Sequence, residues 1–172
     1  DLTLPEALGT IARLGFRYVD IGSGSNLNTQ HAAENPRKEA SEIRADLDLF
    51  DLKVSDLYLM LPRISLADDS KRQKELEMYH ALLPFAVALG TTGVTVSPGL
   101  AHPAEDVEAA DRVTAALRDM VKAGKEVGLA VSIEPESMGQ QSPPSEGMVP
   151  SLAEAAPPVL PGAPLPPSHE TI

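Results

Sequence analysis

The chain has no cysteine, few aromatic residues and few basic ones, and each shortage excludes a class of protein. Without cysteine there is no disulfide framework, no thiol nucleophile and no cysteine-bound zinc site. Aromatic residues make up only 3% of the chain, so the core must consist mainly of Leu, Val, Ile and Ala. Lys and Arg number 14 against 25 Asp and Glu, a net charge of -11. Because basic side chains provide most of the affinity for phosphate backbones, this balance argues against a nucleic-acid partner.

Long apolar runs are also missing from the sequence. No uninterrupted stretch approaches the ~20 apolar residues that cross a membrane, and the acidic N-terminal segment does not resemble a signal peptide. We therefore expect no membrane partner and a cytoplasmic location. At 172 residues the chain is long enough for one domain with a sizeable core.

Four short runs are predicted as strands, with helical patterns before and between them, and the last of these runs is rich in β-branched residues. The spacing of roughly 35 to 41 residues fits the βαβ repeat of a parallel sheet. Pro84 falls inside one helical pattern and should kink or split that helix. The predicted strands lie at about 17–21, 53–59, 94–96 and 129–133, and the predicted helices at about 4–14, 36–50, 70–89 and 104–127.

Glu134 is the residue that the pattern most strongly indicates as functional. It stands where the fourth predicted strand should end, and Pro135 then removes a backbone donor and ends the ladder. An ionised carboxylate is costly to bury unless it is paired or bound to a cation. At the carboxyl end of a parallel strand, it faces the rim where α/β folds keep their sites. A solvated loop acid is the alternative interpretation.

Four stretches of the chain, in this order, resemble the sugar phosphate isomerase/epimerase family, the xylose isomerase-like barrels that also include the endonuclease IV group. The first is Leu4-Pro5-Glu6-Ala7-Leu8 through Leu14-Gly15-Phe16 to Tyr18-Val19-Asp20-Ile21. The second runs from Asn35-Pro36 to Leu52-Lys53-Val54-Ser55. The third is Ala86-Val87-Ala88-Leu89-Gly90 with Val94-Thr95-Val96-Ser97-Pro98-Gly99, and the fourth is Gly128-Leu129-Ala130-Val131-Ser132-Ile133-Glu134-Pro135.

The resemblance implies an α/β fold, the eight-stranded TIM barrel, which typically needs about 250 residues. This chain would supply a partial barrel of about four parallel strands with crossover helices. The resemblance also implies a divalent metal (Mn, Mg, Co or Zn) at the carboxyl ends of the strands, with Glu134 as a metal ligand that shares in catalysis. The implied reaction is proton transfer next to the carbonyl of a carbohydrate substrate.

Three further residues are candidates for contact with the substrate. Asp20 matches a position where the family often has an acidic residue near the substrate. Ser97 occupies the place where endonuclease-like members carry a histidine before Pro-Gly. His102 follows in the same loop and should lie on the same rim, although an exposed loop histidine without a ligand is the alternative.

Other functions remain open at the level of sequence. Ser97 in place of histidine and the acidic charge weigh against an endonuclease IV-like phosphodiesterase. The aspartate, histidine and second glutamate that later strands supply in the family have no match here, so we expect this chain to be inactive or incomplete as an enzyme. A non-catalytic α/β module, or a half-barrel that pairs with another copy through its strand edges, is a different class of function.

The pattern changes after Ser137. Nine of the sixteen prolines fall in the last 35 residues, which contain no Lys, Arg or aromatic side chain. Such a composition buries little apolar surface. We therefore predict a partial TIM-barrel domain over residues 1–137 and a Pro-rich, irregular or disordered tail over 138–172. A flexible tail and a truncated or frame-shifted end both agree with this composition.

Overall fold

The structure is a computed structural model that describes residues 2–24, 27–103 and 105–134. The irregular tail predicted over residues 138–172 lies outside the described residues, as do Pro135 and the boundary between the two predicted domains. Helices and strands alternate along the described part of the chain. They are α1 (Leu4–Arg13), β1 (Tyr18–Gly22), α2 (Thr29–Glu34), α3 (Pro36–Leu49), β2 (Lys53–Leu59), a 3-10 helix (Pro62–Ser65), α4 (Asp69–Leu89), β3 (Gly93–Val96), α5 (Ala109–Glu126) and β4 (Ala130–Ile133).

The four strands form one parallel sheet in the order β1-β2-β3-β4. Each strand therefore pairs with its neighbours along the chain, as βαβ units predict. The register aligns Leu57 with Val94, and Val94 with Val131. This architecture confirms the α/β fold with four parallel strands and crossover helices.

The two faces of the sheet differ in chemistry because successive side chains of a strand point to opposite sides. On the face toward the helices, the core is mainly aliphatic, with the aromatic Tyr79 and Phe85, and Leu57 and Val94 are fully buried there. Tyr58, Thr95 and Ser132, which align across three strands, lie on the opposite face. We call this second face, which carries polar and small residues, the concave face.

A bulge interrupts the pairing of β1 with β2. Val19 aligns with Val54, but Ile21 aligns with Leu57, so two residues of β2 stand opposite one residue of β1. Bulges of this kind bend a strand and redirect its side chains. The two residues of β2 that form the bulge are Ser55 and Asp56. The sequence pattern did not predict this bulge.

The predicted element boundaries mostly agree with the structure, with three differences. The helix predicted to kink or split at Pro84 is not split, because α4 runs on past Pro84, which lies on its exposed side, where an unpaired carbonyl can face water. The helix predicted from residue 104 begins at Ala109, because a turn occupies the preceding residues and the Asp106 N–H donates to Pro103 O. The short helix α2 and the 3-10 helix were not predicted.

Candidate functional site

Glu134 lies directly after β4, at the carboxyl end of the strand. Its backbone N–H donates to Val96 O at 3.0 Å, which continues the ladder by one residue. Strand alternation places its side chain on the same side as Ser132, toward the concave face. Glu134 is exposed, so its carboxylate is available to a ligand.

A row of small and polar residues crosses the concave face below Glu134. One residue from each of the four strands belongs to this row, and all four lie on the same face of the sheet. They are Gly22, Tyr58, Thr95 and Ser132. Hydroxyl groups at three of these positions can donate to and accept from a polyhydroxylated ligand. The sequence analysis did not single out this row, although the alternation of each strand could have revealed it.

Asp20 lies in the middle of β1 and is exposed on the concave face. The Ser55 hydroxyl donates to Asp20 Oδ1 at 2.5 Å, and Ser55 lies at the bulge. Thr91 in turn donates from Oγ1 to the Ser55 carbonyl oxygen at 3.1 Å, which fixes the backbone of the bulge. The bulge therefore positions a hydroxyl that orients the Asp20 carboxylate.

Ser97 follows β3 and is almost completely buried, with 1% of its surface exposed. Its Oγ accepts a hydrogen bond from the Leu61 N–H at 3.2 Å. The side chain thus ties the loop after β3 to the loop after β2. The Ser97 hydroxyl therefore stabilises the two loops at the rim. A ligand would have to displace neighbouring groups to reach it.

His102 lies further along the same loop and is exposed. Its Nδ1 is 3.4 Å from Pro103 O, a long contact that leaves the ring largely free to meet a ligand. His31 and His80 are engaged elsewhere: His31 Nδ1 lies 3.1 Å from Glu39 Oε1, and His80 Nε2 lies 2.7 Å from Asp119 Oδ2. Both pairs are partly exposed.

The loop that carries His102 is fastened to the 3-10 helix by several hydrogen bonds. The Leu100 N–H donates to Pro62 O at 3.0 Å, and Ser65 Oγ donates to Leu100 O at 2.9 Å. Arg112 of α5 reaches Asp106 Oδ2 at 2.5 Å and Ser65 O at 3.5 Å. These bonds join two rim loops into one wall, which we call the rim clamp. Sequence reasoning missed Arg112, because nothing local indicates that it is largely covered and bonded to two loops.

The described residues do not make up a metal site by themselves. Among residues 2–24, 27–103 and 105–134, no group of three or more His, Asp or Glu side chains is placed to hold an ion. Divalent cations in proteins need several protein oxygen or nitrogen ligands, so Glu134 alone does not suffice. In the same part of the chain, no helix is both long enough and apolar enough to cross a membrane.

Comparison with protein families gives one match that covers most of the sequence. The family described as "Xylose isomerase-like TIM barrel" matches residues 8–156. No curated protein sequence matches the chain.

Several solved structures share the fold at low sequence identity. A D-psicose 3-epimerase, solved in the presence of D-fructose, superposes with a TM-score of 0.60 at 13% identity, over 77% of this chain and 47% of that one. A 3-keto-D-glucoside 4-epimerase from E. coli gives 0.58 at 17%, over 78% and 52%. A xylose isomerase-like TIM barrel protein from Mycobacterium smegmatis, in complex with magnesium, gives 0.58 at 20%, over 77% and 47%. The chain spans about half the length of these structures.

Proposed function

The chain belongs to the xylose isomerase-like TIM barrel family, and we propose that it acts on a carbohydrate as an isomerase or epimerase. The observation that carries the proposal is the position of Glu134. An exposed carboxylate stands at the carboxyl end of a parallel strand, above a concave face of hydroxyl-bearing and small residues. That arrangement suits a polyhydroxylated substrate, and two of the structural neighbours are epimerases of sugars.

In the proposed reaction, the Glu134 carboxylate removes a proton from the carbon next to the carbonyl of the sugar. It then returns the proton to the neighbouring carbon on the same face, while the hydroxyl proton of the first carbon moves to the former carbonyl oxygen; inversion at the first carbon requires a second proton donor on the opposite face. Asp20, held by Ser55, and the exposed His102 bind hydroxyl groups and orient the ring or chain. Ser97 is a weaker candidate for direct contact because it is buried.

We include a divalent cation in the proposal only because the resemblance to the family implies one. One structural neighbour contains magnesium, but the described residues of this chain do not form a site for an ion. We therefore assign Glu134 as one prospective ligand, which needs further ligands to bind a metal. Calorimetry with Mn²⁺ on the chain and on Glu134→Ala tests this assignment: binding that is lost in the variant supports it, and equal binding by both chains contradicts it.

Solvent isotope exchange tests the reaction itself. The chain is incubated with D-fructose or D-psicose in D₂O, with and without Mn²⁺, and deuterium at the carbons next to the carbonyl is followed by NMR. We expect incorporation with the native chain and at least a hundredfold slower incorporation with Glu134→Gln, since a positioned base contributes about 10²–10⁴-fold. Glu105→Gln, a change of an exposed acid in the loop before α5, is the matched control. Equal exchange by native chain and Glu134→Gln would exclude this residue as the base.

Absence of exchange with any ketose would instead favour the alternative function, a non-catalytic α/β module. Binding of the same sugars is then measured from NMR chemical-shift changes of the isotopically labelled chain. This measurement distinguishes a module that binds carbohydrate from one that does not.

A further inference from the structure

Met60 follows β2 directly and lies on the concave side of the sheet. Burial alternates through this end of the strand, because Leu59 and Leu61 are 1% and 3% exposed, whereas Met60 is 57% exposed. Successive side chains of an extended chain lie on opposite sides, so Met60 is on the same side as Tyr58. The Met60 N–H donates to Ser23 Oγ at 2.8 Å, which fixes its backbone to the residue that follows β1.

Three residues at the carboxyl ends of β2, β3 and β4 extend the parallel register beyond its last aligned pairs. The Ser97 N–H donates to Leu59 O at 3.4 Å. The Glu134 N–H donates to Val96 O at 3.0 Å, so the ladder continues across these positions. We call the three residues the rim row: Met60, Ser97 and Glu134.

The rim row offers a ligand different chemistry at its two ends. Glu134 provides a carboxylate, whereas Met60 provides a thioether, which is apolar and only a weak acceptor. Between them, the buried Ser97 hydroxyl already accepts from the Leu61 N–H. A ligand hydroxyl group placed over Met60 would therefore lose water without gaining a partner in this row. A methyl group in the same place would gain apolar contact.

The spacing of the rim row matches the length of a short sugar chain. Two strand spacings, about 10 Å, separate the backbones of Met60 and Glu134. Both side chains extend from the concave side, so the gap between their ends is smaller than the distance between their backbones. A sugar carbon beside the Glu134 carboxylate therefore places the remote end of the same molecule near Met60.

We propose that Met60 determines which sugar the site accepts, and that it selects a 6-deoxy ketose. The methyl group at the remote end of this sugar lies against the Met60 thioether, while the carbons next to the carbonyl lie beside Glu134. This inference rests on the proposed function and adds the class of substrate. D-Fructose and 6-deoxy-D-fructose form a matched pair of ligands, because they differ only in the oxygen atom at this remote end.

Binding of both ketoses to the full 172-residue chain is measured by NMR, with ¹³C in the methionine methyl groups. The chain has five methionines, and the Met60 signal is the one that Met60→Leu removes. We expect 6-deoxy-D-fructose to bind about ten times more tightly than D-fructose. It should also give a nuclear Overhauser effect between its own methyl group and that of Met60. Equal affinities, or tight binding without this effect, overturn the proposal.

Variants at the exposed position 60 show whether Met60 is the source of the preference. Met60→Gln has an unbranched side chain that can bond to a hydroxyl group, so the preference for the deoxy sugar should fall to about twofold or less. Met60→Leu keeps an apolar side chain and should keep the preference. Val107→Gln, in the loop after β3, is the matched control at another exposed apolar residue and should also keep it. An unchanged preference in Met60→Gln overturns the proposal.

These measurements distinguish a wrong specificity from a wrong reaction. If both ketoses bind equally and isotope exchange is retained, only the role assigned to Met60 is wrong. If the deoxy sugar is preferred through Met60 but no deuterium is incorporated, the proposed reaction is wrong and the role in recognition holds. Binding of neither ketose overturns both.

Discussion

Gly124 of α5 and Val131 of β4 are in contact with no room between them for a methyl group. A Cβ at position 124 would lie 2.5 Å from Val131 Cγ2 and 3.2 Å from the Tyr79 hydroxyl. Glycine inside a helix costs about 1 kcal/mol relative to alanine. Here that cost is offset by the close approach of α5 to β4, the strand that leads to Glu134.

Gly124→Ala should therefore destabilise the protein although it improves helix propensity. The new methyl group must displace Val131, whose β-branched side chain has few alternative rotamers, and we expect a net loss of about 1–3 kcal/mol in the free energy of unfolding. Urea denaturation measures the loss. The double variant Gly124→Ala/Val131→Ala should lose less than the sum of its two single variants. Additive losses would mean that the two residues do not restrict each other.

Ser97→Ala should also lower stability, because it leaves the buried Leu61 N–H without its acceptor. The expected loss in the free energy of unfolding is about 1–3 kcal/mol. Ser132→Ala, at an exposed position on the concave face, should change stability by less than about 0.5 kcal/mol and is the control. Equal stabilities of the two variants would show that the Ser97 hydroxyl does not support the rim.

Arg112→Met should loosen the rim clamp while keeping an unbranched side chain in the same space. The variant removes the bonds to Asp106 and Ser65, and we expect faster amide hydrogen exchange at Leu100 and at residues 105–108. A loss of about 1.4 kcal/mol in local stability would appear as a tenfold faster exchange. Arg118→Met on the exposed side of α5 serves as the control. Unchanged exchange at Leu100 would contradict the role assigned to Arg112.

Tyr79→Phe should alter how stability depends on alkaline pH. The buried Tyr79 hydroxyl donates to Met120 O at 3.0 Å, and burial, helped by the negative charge of Asp119, raises its pKa from 10.0 to about 12. Because the folded pKa lies above the unfolded value, this group stabilises the fold fully below pH 10 and loses its contribution as the pH rises toward 12.

Denaturation of both chains at several pH values provides the measurement. Below pH 10, the native chain should be more stable than Tyr79→Phe by about 1 kcal/mol, the value of one hydrogen bond. Between pH 10 and 12 this advantage should shrink, since only the native chain can ionise at position 79 on unfolding. A difference that stays constant across this range would contradict the raised pKa.

The regular elements were predictable because local patterns determine them. The β2 boundaries at Lys53 and Leu59 were predicted correctly, since apolar residues end this run at Leu57–Leu59 and Pro62 follows. The helix α2 was missed because it has only six residues and depends on tertiary packing. Its Ala32 is fully buried, and α2 packs against α4. The capping signal was present, as Asn28 Oδ1 accepts from the His31 N–H at 3.1 Å.

The candidate site was predictable only in part, because sequence order does not reveal contacts between strands. The end of β4 at Ile133 was predicted correctly, so Glu134 stands where the pattern placed it. The hydrogen bond from Ser55 to Asp20 joins residues 35 positions apart and depends on a bulge without a sequence signal. The burial of Ser97 likewise results from the loop after β2, whose path over the rim no local pattern shows.

The bulge in β2 also affects how this strand must be aligned with other sequences. Val54 and Leu57 both point toward the helices although three positions separate them, whereas Ser55 and Asp56 lie between them as consecutive residues. An alignment without a gap that treats β2 as a regular strand would therefore exchange inward and outward positions on one side of the bulge. Residue substitutions tabulated across such an alignment would compare side chains of the concave face with core side chains. A one-residue gap at Ser55 restores the correspondence.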